Sequence, residues 1–99
     1  MSQQFGWDAA KAAVNRKKHR VGFDEALTVF ADPLARIFDD PDHSATEKRE
    51  IIIGHSVAQR LLVVAFMERN DQVRIITARP ATARERKAYE ENTNKSERQ

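Results

Sequence analysis

At 99 residues the chain has room for one domain and one modest core, and 32% charged against 40% hydrophobic residues is an ordinary globular balance. The absence of cysteine excludes a disulfide framework and a thiolate zinc site. MSQQFGWDAAK lacks the apolar core of a secretory signal, and Leu61 to Met67 is too short an apolar run to span a bilayer. A single soluble, cytoplasmic domain over residues 1–99 is the expectation.

The net charge of +2 conceals a segregation: five Lys/Arg against one Asp in residues 1–20, eight acids against three bases in 24–50, and seven bases against three acids in 51–89. Such blocks suit a polyanion on one surface and a protein partner on another, or simply decorate solvent faces.

In chain order, Asp8 is placed to cap an alanine-rich helix, with Trp7 as its hydrophobic staple. Ala10, Ala13, Val14 and Lys17 fall at helical spacing, and basic residues at the end favour the helix dipole. Gly22 is expected to break this helix. A second follows, with Phe23, Ala26, Leu27 and Phe30 at i, i+3, i+4 and i+7, until Asp32-Pro33 stops it. Residues 34–38 read as a short strand. Three more strands follow at 49–55, 60–67 and 72–78, joined by linkers too short for parallel crossovers. Thr82-Ala-Arg-Glu85 is a capping box for a last helix from about Ala83, with residues 92–99 as a frayed tail. The expected fold is α+β: two N-terminal helices, a four-stranded antiparallel meander sheet and a C-terminal helix. LLVVAFM and VRIITA are apolar on both faces, so both faces of the sheet need cover, from helices or from a partner.

The chemistry-bearing residues are mostly cations. Lys18 and His19 end the first helix, Arg69 and Arg79 end strands, and Arg74 interrupts an apolar strand, where Glu68 or Glu50 is its expected partner. Arginine presents a planar fork that matches phosphate oxygens. His19, His43 and His55 are scattered without metal-ligand spacing, so no metal or other cofactor is expected. Ser44-x-x-Glu47 has capping-box spacing, which makes His43 and Ser44 as readily turn residues as site residues.

Taken together, several blocks resemble the BrnT family of toxins from bacterial type II toxin–antitoxin systems, which have a RelE-like ribonuclease fold. They are F-G-W-D at 5–8, N-R-K-K-H-R-V at 15–21, F-D-E-A at 23–26, F-A-D-P at 30–33 and D-x-x-H-S-x-x-E at 40–47. They continue as L-L-V-V at 61–64, E-R at 68–69, R-I-I-T-A-R at 74–79 and A-T-x-x-E-R-x-x-Y at 81–89. The chain departs from the family pattern at Gly22, usually serine, and at Pro80, usually basic.

The resemblance implies an endoribonuclease that arrests translation. It also implies a cognate ribbon-helix-helix antitoxin that neutralises the toxin in a two-plus-two complex. Together they would repress their own operon, with operator DNA contacted through the antitoxin. Metal-free RNA cleavage needs a base for the 2′-hydroxyl, cations for the phosphorane and an acid for the leaving oxygen. Arg69 and Arg79 are the candidates for the charge role, and His19, Lys18 and Glu47 for proton transfer. Arg16, Lys17, Arg74 and Arg84 are candidate RNA contacts. The alternative is a non-catalytic, antitoxin-binding co-repressor. A free-standing DNA-binding domain fits less well, because no helix pair looks like a reader of the major groove.

Overall fold

The computed structural model describes residues 4–40 and 48–97, with side chains of the last helix described as far as Glu91. Asp8 caps α1 (Ala9–His19) by accepting from the Lys11 N–H at 3.1 Å. Trp7 packs edge-on against Phe23 with ring centroids 6.0 Å apart. The helix ends at Arg20 and not at Gly22. Arg20 takes the left-handed conformation (φ 59) and donates its N–H to the Arg16 carbonyl at 2.8 Å.

Gly22 instead begins α2 (Phe23–Leu27), with no side-chain cap. The second helix is shorter than its apolar stripe suggests: after five residues it tightens into a 3-10 turn, Thr28–Ala31. The Thr28 hydroxyl donates to the Glu25 carbonyl at 2.6 Å and competes with the helical ladder there. Phe30, in the tightened turn, sits edge-on to both Phe5 (5.1 Å) and Phe66 (5.0 Å).

The sheet has five strands where four were expected. β1 (Gln4–Gly6), β2 (Arg36–Asp39), β3 (Arg49–His55), β4 (Leu61–Arg69) and β5 (Gln72–Pro80) lie in the order β1-β5-β4-β3-β2. β2 to β5 form the antiparallel meander that the short linkers demand, and Asn70 and Asp71, both left-handed (φ 53 and 65), make the two-residue turn between β4 and β5. β1 adds in parallel to β5, so the sheet is mixed. Three residues are too few to show an alternating pattern. β1 exists because Phe5 pairs with Val73 and packs its ring on Phe30.

The two faces are covered unequally. On one, Ile52, Leu62, Val64, Phe66, Val73, Ile75 and Ala78 pack against Val21, Phe23, Ala26 and Val29 from the N-terminal helical segment. Each fully buried Phe23, Leu62 or Ile75 contributes about 2–3 kcal/mol through apolar area removed from water. On the other, Ile53, Leu61 and Val63 lie under Tyr89 of α3 (Ala83–Glu97), with Phe38, Ile51 and Ala81 alongside. The capping box of α3 forms as its spacing implies: the Glu85 N–H donates to Thr82 Oγ1 (3.2 Å), and Glu85 Oε1 accepts from the Thr82 N–H (2.8 Å). Its backbone continues past Asn92, where the frayed tail was expected, to Glu97.

The residues over which α3 packs lie at one end of that face. At the other end the face turns cationic. Arg49, Met67 and Arg74 are cross-strand neighbours in one row, and Arg69 lies opposite Gln72 in the next.

Candidate functional site

α1 runs beside the upper part of β5, where no strand follows β1. Asn15 closes that edge. Its side chain donates to the Ala78 carbonyl (2.8 Å) and the Val21 carbonyl (3.0 Å) and accepts from the Ala78 N–H (3.1 Å). Only 5% exposed, Asn15 thus stands in for a strand neighbour and pins the helix to the sheet. Lys11, Val14 and Lys18 follow at helical spacing, and together with Ala10, Asn15 and His19 they wall a groove of about 430 Å³. Its other lining residues are Arg49, Ile76 and Thr77.

Lys18 and His19 therefore converge with each other and with Arg49. A register shift between Ala65 and Phe66 pairs Phe66 with Ile75 and Ala65 with Thr77, leaving Ile76 as the extra residue of a β-bulge. Bulges re-aim side chains, and this one sits in the groove. A smaller hollow of about 170 Å³ is lined by Met67, Arg69, Asn70, Gln72 and Arg74. Among the described residues no carboxylate lines either hollow.

The remaining candidates are placed elsewhere. Arg74 is exposed and on the face opposite the side chains of Glu68 and Glu50; the acid its charge acts on is Asp8, at the start of α1. That carboxyl is held below its ordinary value first by the Lys11 N–H. Arg79 is seven positions further along β5 than Gln72, the cross-strand neighbour of Arg69, so strand counting rightly separated the two arginines. Its guanidinium makes a bidentate pair with Glu85, both contacts at 2.8 Å. Chiefly through Arg79, with burial opposing and Thr82 assisting, the Glu85 carboxyl is pulled down to about 2. Arg16 lies with Trp7, Gly22 and Asp24 in a different hollow, Lys17 is exposed, and Arg84 is exposed in the first turn of α3. Glu47, like His43 and Ser44, lies outside the described residues.

A second polar cluster occupies the far end of β3. The Tyr89 hydroxyl donates to Asp32 Oδ2 at 2.7 Å, and the same oxygen accepts from the His55 N–H at 2.8 Å. Burial and the Asp32 charge push the Tyr89 hydroxyl up to about 12. Burial also works against ionisation of Asp32, but the N–H groups of His55 and Leu34 and the Tyr89 hydroxyl outweigh it, holding its carboxyl below the usual value. Gly54 makes room for this loop: a Cβ there would lie 2.9 Å from Ala35 Cβ and 3.0 Å from Asp32 Oδ2. Nearby, Glu25 pairs with Arg60 and accepts from Ser56 Oγ at 2.7 Å. Arg60 first, then Ser56, hold Glu25 low against burial. A further hollow, about 660 Å³, adjoins these groups, but it is walled mainly by Phe5, Leu27, Phe30, Ala31 and Val57. Its Asp32, Ser56 and Thr28 side chains are committed to internal hydrogen bonds.

Residues 7–85 match the sequence model of the ribonuclease toxin BrnT of type II toxin–antitoxin systems. The chain belongs to that family. A crystal structure of the Brucella abortus ribonuclease toxin BrnT, at 1.1 Å resolution, matches with a TM-score of 0.64. The match covers 82% of this chain and 99% of that one at 20% sequence identity, which speaks for the shared fold. Curated protein sequences gave no match.

As a BrnT-family chain, it belongs with an antitoxin as partner and with ribonuclease activity as its general chemistry. No described helix is long and apolar enough to cross a membrane. Sequence reasoning left Arg49 and Asn15 without a site role. Arg49 is the first residue of the strand expected at 49–55, with no spacing that ties it to Lys18 or His19. Asn15 had a usable signal: a polar residue three positions after Ala12 and four before His19, on the face that α1 turns to the sheet.

Proposed function

We propose that the groove between α1 and the sheet is the cleavage centre of a metal-independent endoribonuclease. The observation that carries this reading is the convergence of Lys18, His19 and Arg49 on one concave surface without a lining carboxylate. A phosphodiester carries its charge on oxygens that such cations attract, and low local polarity around Ile76 strengthens the attraction. His19 takes the proton of the 2′-hydroxyl. The freed oxygen attacks the adjacent phosphorus, and the bond to the 5′-oxygen breaks to leave a 2′,3′-cyclic phosphate. Lys18 is placed to return a proton to the leaving oxygen, while Arg49 stabilises the charge on the phosphorane. Arg69 and Arg74, one hollow away, hold a neighbouring phosphate.

On this reading the enzyme arrests translation by cutting RNA. A small dimeric ribbon-helix-helix antitoxin neutralises it in a two-plus-two complex, through which the pair represses its operon. The exposed cationic end of the second face is the surface such a partner has to cover. One observation favours a non-catalytic co-repressor instead: Arg79, a candidate for binding phosphate, is committed to Glu85.

Induction in cells with and without the adjacent small gene, followed by mapping of RNA ends, separates the two. The expected result is growth arrest and new ends bearing cyclic phosphate, both suppressed by the second gene. Cleavage by purified protein should persist in EDTA. Intact RNA in arrested cells would sink the nuclease reading, and cleavage that EDTA abolishes and added metal restores would sink the metal-free one.

A further inference from the structure

The groove has a feature that phosphate binding alone does not require. Between its cations lies apolar surface: Val14, 65% exposed on α1, faces the same hollow as Ile76 on the bulge of β5. An exposed valine beside lysines is poorly placed for binding phosphate, since it offers no donor. It is well placed to contact the flat face of a base. We propose that this groove seats one unstacked base of single-stranded RNA between Val14, Ile76 and Thr77, with the flanking phosphates on the rim cations.

The dimensions and chemistry agree with this occupant. Lys11 and Lys18 stand two helical turns apart on the groove wall, about 10 Å along the axis, enough to reach the phosphates on either side of one nucleotide. The volume of about 430 Å³ lies within the size range of small-molecule sites. The guanidinium of Arg49 supplies a plane on which a base can stack, and single-stranded RNA is recognised by stacking splayed bases on such planes. The exposed Thr77 hydroxyl can both donate to and accept from a base edge, so it is the residue placed to set base preference. A paired base inside a duplex could not enter. The bulge gives the arrangement its reason: without the extra residue, strict alternation would put Ile76 and Thr77 on opposite faces of β5, and only one could line the groove.

The inference deepens the proposed nuclease reading and shares its groove, so the test separates the two. Short fluorescein-labelled RNAs with 2′-O-methyl riboses cannot be cleaved, and a single abasic position can be moved along them. Fluorescence anisotropy with the full-length chain should show one position at which losing the base weakens binding roughly tenfold, the scale of one stacked base. Val14→Glu, at an exposed position, should weaken the intact RNA by a similar factor and abolish that positional dependence. Val57→Glu, exposed at the far hollow, should change neither. The same sequence annealed as a duplex should bind more weakly than the single strand. Equal binding of all abasic strands, or positional dependence that survives Val14→Glu, would overturn the base seat. So would displacement of the RNA by a polyglutamate peptide at lower concentration than by unlabelled RNA, which would make the groove a protein contact. A positional signal in a protein that cuts no RNA in cells leaves the seat standing and removes the nuclease; cleavage without any positional signal does the reverse.

Discussion

The two ends of the second sheet face differ in what their charges do. At the end under α3, carboxylates meet their partners: Arg79 with Glu85, and Asp32 with Tyr89 and the His55 N–H. The Asp32 and Glu85 carboxyls are held below their ordinary values, and the Tyr89 hydroxyl is held above, the signature of groups arranged to stay as they are. At the other end Lys18, His19 and Arg49 line one hollow and Arg69 and Arg74 the next, with no acid among the lining residues described. Paired charges fix α3 and its loop contacts in place. Gathered like charges repel one another, and an anion bound among them relieves that repulsion. Perturbed titration by itself points to the end under α3, but structural ion pairs perturb pKa values as strongly as active sites do.

The sharpest way to break this contrast is to remove one cation from each end. His19→Ala and Arg49→Ala should each lower RNA cleavage roughly a hundredfold, the loss typical of one transition-state donor, in a chain that still folds. Arg79→Ala should cost less than roughly tenfold in cleavage, because its guanidinium is already spoken for by Glu85, and should lower melting instead. Cleavage assays beside thermal melts of the three variants decide it. A hundredfold loss in Arg79→Ala with full activity in Arg49→Ala would exchange the roles of the two ends.

Asn15 sharpens the comparison from the scaffold side, because it holds the open end together without touching its chemistry. Asn15→Ala would leave the Ala78 N–H and carbonyl and the Val21 carbonyl without their partner in a buried place. A loss of about 2–3 kcal/mol is expected from such unsatisfied groups. The wall carrying Lys18 and His19 would loosen with it, so cleavage should fall at temperatures well below the melting midpoint. Urea unfolding and a temperature series of cleavage rates check both parts. A variant that loses stability but keeps wild-type cleavage in the cold would show that the wall does not depend on this anchor.

Much of the scaffold was legible because it rests on local chemistry. Asp8 and Thr82–Glu85 mark helix starts through side-chain capping, and the short linkers force antiparallel pairing whatever the rest of the chain does. β1 was not legible, since three residues form a strand only where β5 already offers an edge. The 3-10 end of α2 was hidden for a similar reason: a stripe at helical spacing reads the same whether the last turn is tightened or not.

The candidate site was readable as a set of residue types and unreadable as a constellation. Lys18 and His19 were named from their place at the end of α1. What brings Arg49 to them is strand register, the bulge at Ile76 and a hydrogen bond between Asn15 and Ala78, which are 63 positions apart. A terminal arginine such as Arg79 looks unpartnered in the sequence until Glu85, six residues on, is seen to fold back on it. The capping-box reading had already assigned Glu85 one role; its second, as partner to Arg79, needed the strand's exit and the helix's entry in one frame.

The smallest expected effect concerns that double role of Glu85. Its carboxyl sits at about 2 in the folded chain against an ordinary 4.5, so the folded state favours the ionised form. The stability this contributes is fully present above about pH 4.5 and is lost as pH falls from there towards 2. Arg79 is 38% exposed and Glu85 25%, so solvent screening reduces the contribution to about 1–2 kcal/mol. Glu85→Gln keeps an acceptor for the Thr82 N–H but removes the charge that Arg79 grips. It should therefore be less stable than the parent by about that amount at neutral pH, and the difference should shrink steadily below pH 4.5 as the parent's own carboxyl takes up its proton. Paired urea titrations across that range give the answer directly. A difference that stays constant down to pH 2 would mean that shape and hydrogen bonding, not charge, join Glu85 to Arg79. The end of the face under α3 would then owe its rigidity to the capping geometry and to the Asp32 hydrogen bonds, not to an ion pair.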